Sequence, residues 1–239
     1  SNPEGYRTGF AVLLVPALIA LALLLRARSL YGETSEIEIK AVRLESKGLT
    51  RPFWLYVAAT ALVAAAYADW PLIAYHLGKI GVAGGQTVSL LYALAMAVGA
   101  VAAMSFGWLF DRVGIAALIA ATALSAIFPP LVFSHSFTLA LVGVSLWGVG
   151  MGSQESVMRA VVARMVPADR RGSAYGLFNV VFGVAWGAGS LVLGVLYDVS
   201  YNISFAPLII FSVILQLAAI PILLRLSSRS HGSGVLRSR

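Results

Sequence analysis

Residues 107–114 read "GWLFDRVG" and close a long apolar run, and residues 194–198 read "GVLYD" and close another. Both are Gly-x-Leu-aromatic-Asp, from Gly107 to Asp111 and from Gly194 to Asp198, eighty-seven positions apart. Two apolar helices of one chain thus end on the same five-residue pattern. What the repetition means depends on how often the chain crosses a membrane between them.

Of the 239 residues, 59% are hydrophobic and 11% are charged, against about 25% charged in a soluble domain. The apolar residues come in long blocks with almost no strand-type alternation, so the expected class is an all-α integral membrane protein and not a β-barrel. There is no cysteine, which excludes disulfides, thiolate metal sites and cysteine nucleophiles. The formal net charge of +7 reads as basic loops beside a bilayer, with no nucleic acid partner. His76, His135 and His231 have no metal-ligand spacing, and no Ser-His-Asp or paired-acid arrangement falls in a loop. No enzyme activity and no cofactor are expected. The sequence opens "SNPEGYRTGF", without an initiator Met or a cleavage-site pattern after the first apolar block, and reads as starting partway through a longer protein.

A hydrocarbon core needs about 20 apolar residues in a helix. Seven segments meet that need, at approximately 9–25, 53–76, 86–109, 115–134, 138–162, 173–197 and 203–225. "FPPLVFSHSF" separates the fourth from the fifth, because two prolines and a polar turn end a helix. With seven crossings, fifteen basic residues fall on one side: Arg26, Arg28, Lys40, Arg43, Lys47, Arg51, Arg112, Arg159, Arg164, Arg170, Arg171, Arg225, Arg229, Arg237 and Arg239. Only Arg7 and Lys79 fall on the other. The excess marks the cytoplasmic side, giving a multi-pass protein of the cell membrane with its amino end outside and its carboxyl end cytoplasmic. Three crossings separate Asp111 from Asp198, so the two motifs lie on opposite faces. The last six segments form two triplets of inverted orientation, a 3+3 repeat of the kind found in many secondary transporters.

"GWLFDRVG" resembles the loop signature of the major facilitator superfamily, Gly-x-x-x-Asp-[Arg/Lys]-x-Gly followed by basic residues. Ile115 and Ala116 stand where those basic residues usually are. "VPADRRGSAYGLFNVVFGVAWGAGSLVLGVLYD" is similar to the eleventh helix of that family and its entry. The resemblance implies that the chain corresponds to family helices six to twelve. Residues 1–28 then carry the last helix of an amino-terminal half, 29–52 a cytoplasmic linker, 53–226 a six-helix carboxyl-terminal half, and 227–239 a cytoplasmic tail. The other partners implied are the lipid bilayer, a small-molecule substrate, protons as a candidate coupling ion, and the missing amino-terminal half.

Several residues are candidates for chemistry. Gly107, Asp111, Arg112 and Gly114, with Arg159, are read as a conformational latch: an acid at a helix end that pairs with an arginine or caps a helix start, with ordinary loop capping as the plain alternative. Asp198 is read as loop capping, with a matching latch on the outer face as the alternative. Glu155 and Arg159, four apart and acid first, suit a helical ion pair near the inner edge of the bilayer. The alternative for Glu155 is a proton-carrying role, with Gln154 beside it lining a cavity. Asp69 lies about 24 Å along a helix that starts near Phe53, past the midplane. A lone carboxylate in lipid costs roughly 2.5–3.5 kcal/mol, so Asp69 faces a substrate path, a partner or the outer interface, and Pro71 loosens the helix around it. Tyr67, Tyr92 and Asn179 are weaker path candidates, as are Trp147, Trp186 and Gln216. Gly148-x-x-x-Gly152, Gly172-x-x-x-Gly176 and Gly183-x-x-x-Gly187 read as helix-packing surfaces and not as phosphate loops, since no strand precedes them.

The function expected is a secondary active transporter, here a fragment, moving a small solute by alternating access. The alternative is a non-transporting scaffold or receptor-like subunit on the same framework. A retinal protein is excluded, because Lys40, Lys47 and Lys79 all lie in loops.

Overall fold

The computed structural model describes residues 14, 18–26, 48–200 and 204–232. Of the first segment, Leu14 and residues 18–26 are helical. The linker at 29–47 and the tail end at 233–239 lie outside the described residues. The chain divides into two units, 1–43 and 44–239.

The described residues of the second unit are mostly helical, with no strand among them. Its α-helices are α1 (Arg51–Ala66), α2 (Trp70–Lys79), α3 (Gly85–Val113), α4 (Ile115–Ser125), α5 (Phe128–Val132), α6 (Phe137–Ser153), α7 (Arg159–Met165), α8 (Arg171–Ser200) and α9 (Ala206–Gly232). A π-helical turn, Gln154–Met158, joins α6 to α7, and a 3-10 turn, Ala168–Arg170, precedes α8. Taken end to end they give six stretches long and apolar enough to cross a membrane. These correspond to the second through seventh segments of the sequence.

The main departure from expectation is that the second segment is not one helix. Tyr67 and Asp69 are extended, with ψ of 112° and 151°. Pro71 is the cause: it has no N–H to donate to the Tyr67 carbonyl and sits instead in the first turn of a new helix. A break inside a membrane leaves backbone carbonyls without helical donors, and each must find another. Ser212 Oγ donates to the Ala66 carbonyl at 2.6 Å, and Trp147 Nε1 to the Ala68 carbonyl at 2.8 Å. The Tyr67 hydroxyl in turn donates to the Trp147 carbonyl. α1, α6 and α9 are therefore tied together at the break. Pro129 and Pro130, in the first turn of α5, mark a milder interruption of the fourth segment, where Ala126 and Ile127 keep right-handed helical angles.

Glycines set the closest helix approaches. A β-carbon on Gly152 or Gly148 would strike the backbone of Gly99 or Ala95, so α6 and α3 pack main chain to main chain. Gly189 of α8 meets the backbone of Ala65 in α1 similarly. By contrast, nothing lies within 4 Å of a β-carbon at Gly183 or Gly187, so that pair is no contact within this unit. One apolar core gathers around Phe53, Tyr56, Phe110, Val157 and Phe178, and a second around Ile73, Phe128, Trp147, Tyr197 and Leu208. α3 and α8 are mostly uncovered, with Met104 79% and Leu191 74% exposed.

Gly152→Val should lower the unfolding free energy of the full-length protein in detergent by about 1–3 kcal/mol, the usual cost of overpacking. Gly183→Ala, in open space, should change it by less than about 0.5 kcal/mol. Chemical or thermal unfolding midpoints measure both.

Candidate functional site

The break at Tyr67–Asp69 opens onto a groove of ≈ 510 Å³ whose walls come from α2, α3, α6, the π-turn and α8. Asp69 is the extended residue immediately before α2; its side chain makes no capping bond to that helix and turns its carboxylate toward α8. There Trp186 Nε1 donates to Oδ1 and Ser190 Oγ donates to Oδ2 at 2.5 Å. Trp186 and Ser190 are four apart, one helical turn, so one face of α8 presents both donors. No basic side chain among the described residues lies within 4 Å of Asp69. Four aromatic rings share the remaining wall with two methionines and a run of small residues on α3. Trp70 lies with ring centroids 4.9 Å from Tyr92 and 5.6 Å from Trp147, and Trp186 closes the α8 side.

A smaller recess of ≈ 130 Å³ continues past Met151, Glu155 and Trp186, which line both spaces. Gln154, Asn179 and Arg159 line only the recess. Gln154 is 5% exposed, yet neither its Nε2 nor its Oε1 has a hydrogen-bond partner. A buried amide in that state lacks the partners that such groups ordinarily have. Asp69, Tyr92, Glu155, Gln154 and Asn179 are thus brought together along one connected face.

Other sequence candidates lie elsewhere. Tyr67 is fully buried and lines neither space; its ring packs against Phe128 and its hydroxyl is used at the break. Gln216 is also buried, with Oε1 accepting from Ser125 Oγ at 2.9 Å and Nε2 donating to Ser212 Oγ at 3.3 Å. It extends the polar chain that ties α4 and α9 to α1. The expected Glu155–Arg159 ion pair is a correction: the two groups do not come within 4 Å. Residues 154–158 are π-helical, and the wider turn takes residues four apart out of line. The Tyr175 hydroxyl donates to the Arg159 carbonyl at 3.1 Å.

At the far end of α3, Asp111 Oδ1 accepts from Arg164 Nη2 at 2.7 Å. Arg164 also lies over the Phe110 ring at 4.2 Å. Arg112 takes no part in this pair and stacks on Trp108 at 3.3 Å. Gly114 makes the turn possible: its φ of +63° disfavours any side chain, and its N–H closes α3 on the Phe110 carbonyl at 2.8 Å. Gly107 faces open space. Asp198, in the repeated motif, makes no ion pair among the described residues. Sequence reading missed Arg164 and Ser190. Their signal is one of distance across the fold, except that Trp186 and Ser190 share a helical face.

Comparison with known proteins gives a consistent picture. The family model described as Major Facilitator Superfamily matches residues 4–190 and 53–237. An uncharacterized protein of Mycobacterium tuberculosis and another of Mycobacterium bovis are each 33% identical over 223 residues, covering 91% of this chain. The chain spans 54% of the length of each of these relatives. No solved structure matches.

The Trp147 indole N–H serves a carbonyl that no helix serves. Trp147→Phe should cost about 1–3 kcal/mol in unfolding free energy, the penalty of an unsatisfied buried acceptor. Tyr92→Phe, on the exposed wall of the groove, should be neutral in the same measurement.

Proposed function

The chain belongs to the major facilitator superfamily, a family of transporters, and from that we propose that it forms part of a secondary active transporter that moves a small solute by alternating access. The observation that carries the reading is the groove: two carboxylates line it at a break within a membrane-spanning stretch, and the unpartnered amide of Gln154 lines the recess beyond. Polar groups at that depth mark a solute path by default, and irregular backbone is tolerated there where it lines a cavity or is covered by protein. The scaffold or receptor-like alternative leaves the groove unexplained.

A 3+3 inverted repeat is the architecture we assign to the six spans. Its support is a recurring offset of eighty-seven residues. Gly107 and Asp111 recur at Gly194 and Asp198; the break that starts at Tyr67 recurs as the π-turn that starts at Gln154; and Ala65, which receives Gly189, is matched at that offset by Gly152, which receives Gly99, a residue about one helical turn from the position that would match Gly189. The packing follows the same exchange. α3 lies on α6 as α8 lies on α1, and α4 and α5 lie on α6 as α9 lies on α1. The helix at 18–26 would be the seventh crossing and the last of an amino-terminal half. Residues 53–226 would be the carboxyl-terminal half, with the linker and the tail cytoplasmic. The positive-inside excess supports a cytoplasmic Asp111 and an outer Lys79 in the cell membrane.

Within this reading Asp111 and Arg164 form a latch that is closed in one conformation. The pair is exposed, 72% and 37% for the two side chains, so it is worth only about 0.2–1 kcal/mol to stability. Such a term is too small to hold the fold and large enough to bias two conformations of similar energy. Asp69, held by two neutral donors, is a solute contact, and Glu155 is the group left to carry a proton.

The test needs no known substrate. Asn179→Cys in the full-length protein should react with a membrane-impermeant thiol reagent in both right-side-out and inside-out vesicles, and adding Asp111→Asn should change the ratio of the two rates at least about threefold. Reaction from one side only, or from neither, would support the scaffold reading.

A further inference from the structure

We infer that the groove is a binding site for an organic cation with aromatic or aliphatic bulk. The inference deepens the transporter reading and rests on it. Its first ground is uncompensated charge. Asp69 and Glu155 both line the groove, and neither has an ion-pair partner among the described residues. Asp69 is held only by the neutral donors of Trp186 and Ser190. No Lys or Arg lines this space. An anionic solute would face two carboxylates with nothing to neutralise it. A sugar would need a dense set of hydrogen-bonding groups, and this wall offers few.

The second ground is the wall itself. Trp70, Tyr92, Trp147 and Trp186 surround the space next to Asp69. Aromatic faces attract a positive charge, most strongly when it is soft and poorly hydrated, as in a quaternary ammonium or phosphonium group. An ammonium such as Lys, strongly hydrated, would gain less from such a wall.

The third ground gives the ligand a direction. The recess beyond Met151 holds Arg159 and the unpartnered, buried amide of Gln154. Arg159 repels a cation from that end, so the charge lies at Asp69. Gln154 can both donate and accept, so it suits a neutral polar group at the opposite end of the ligand. The pocket is therefore polarised: acid and aromatic at one end, amide at the other.

The test uses the purified full-length protein in detergent, with methyltriphenylphosphonium as the cation and triphenylphosphine oxide as its neutral analogue of nearly the same shape. Equilibrium dialysis gives the affinities, and tryptophan fluorescence places the probe beside the groove. The wild-type protein should bind the cation at least about tenfold more tightly than the oxide. Asp69→Asn should remove that preference, weakening the cation at least about tenfold while leaving the oxide within about twofold. Tyr92→Leu, on the exposed wall, should weaken the cation at least about threefold. Should Asp69→Asn fail to fold, the wild-type preference and the Tyr92→Leu result decide the matter. Equal affinity for the two probes, or cation binding unchanged within about twofold in Asp69→Asn, overturns the inference. Charge-selective binding in a protein whose Asn179→Cys is reached from one side only would keep the site and remove the transporter. Two-sided access without charge selectivity would do the reverse.

Discussion

Inside a bilayer every backbone N–H and C=O must find its partner within the protein. The break at residues 67–69 is where this chain is most exposed to that demand, and the rest of the unit is arranged to meet it. Ser212 reaches the Ala66 carbonyl from α9, Trp147 reaches the Ala68 carbonyl from α6, and Tyr67 returns a bond to Trp147. Helices distant in sequence are fixed to one point by bonds that are hard to exchange, because no water competes for them. Asp69 is held at the edge of this knot and directed at α8.

The same break links stability to function. A continuous helix would turn residue 69 according to its helical phase alone. The extended turn puts Asp69 at the head of α2 with its carboxylate free of that helix, bonded to Trp186 and Ser190 and lining a cavity. The glycine contacts have a related effect. Because α3 meets α6 through Gly99, Gly148 and Gly152, the backbones approach closely enough for Tyr92, Trp147 and Glu155 to share one wall. Packing of small residues thereby sets the width of the groove.

The class and the number of crossings in this unit were legible in the sequence, because apolar length and the clustering of basic residues are local signals. The loop pattern around Asp111 was legible for the same reason. Pro71 announced the break, though not its extent over three residues. Partners were less visible. Asp111 is bonded to Arg164, fifty-three residues on, and Asp69 to Trp186 and Ser190, more than a hundred residues on. Such contacts depend on helix rotation, which hydropathy does not encode when a helix is apolar on every side. The Glu155–Arg159 expectation failed because it assumed α-helical spacing where the chain is π-helical. Tyr67 was read as a path residue from its neighbourhood, but a tyrosine beside a helix break is drawn to an unsatisfied carbonyl.

A solute path along this unit requires that the groove face of α8 meet water and protein, while its opposite face meets lipid. Asn179 lies on the groove side of that helix and Val184, 67% exposed, on the other. Nitroxide labels at these two positions of the full-length protein in liposomes, tested for collision with oxygen and with a water-soluble nickel chelate, measure the difference directly. The expected result is a label at Asn179 relaxed by nickel and shielded from oxygen, and a label at Val184 with the opposite pattern. Equal, lipid-like oxygen collision at both positions would contradict it.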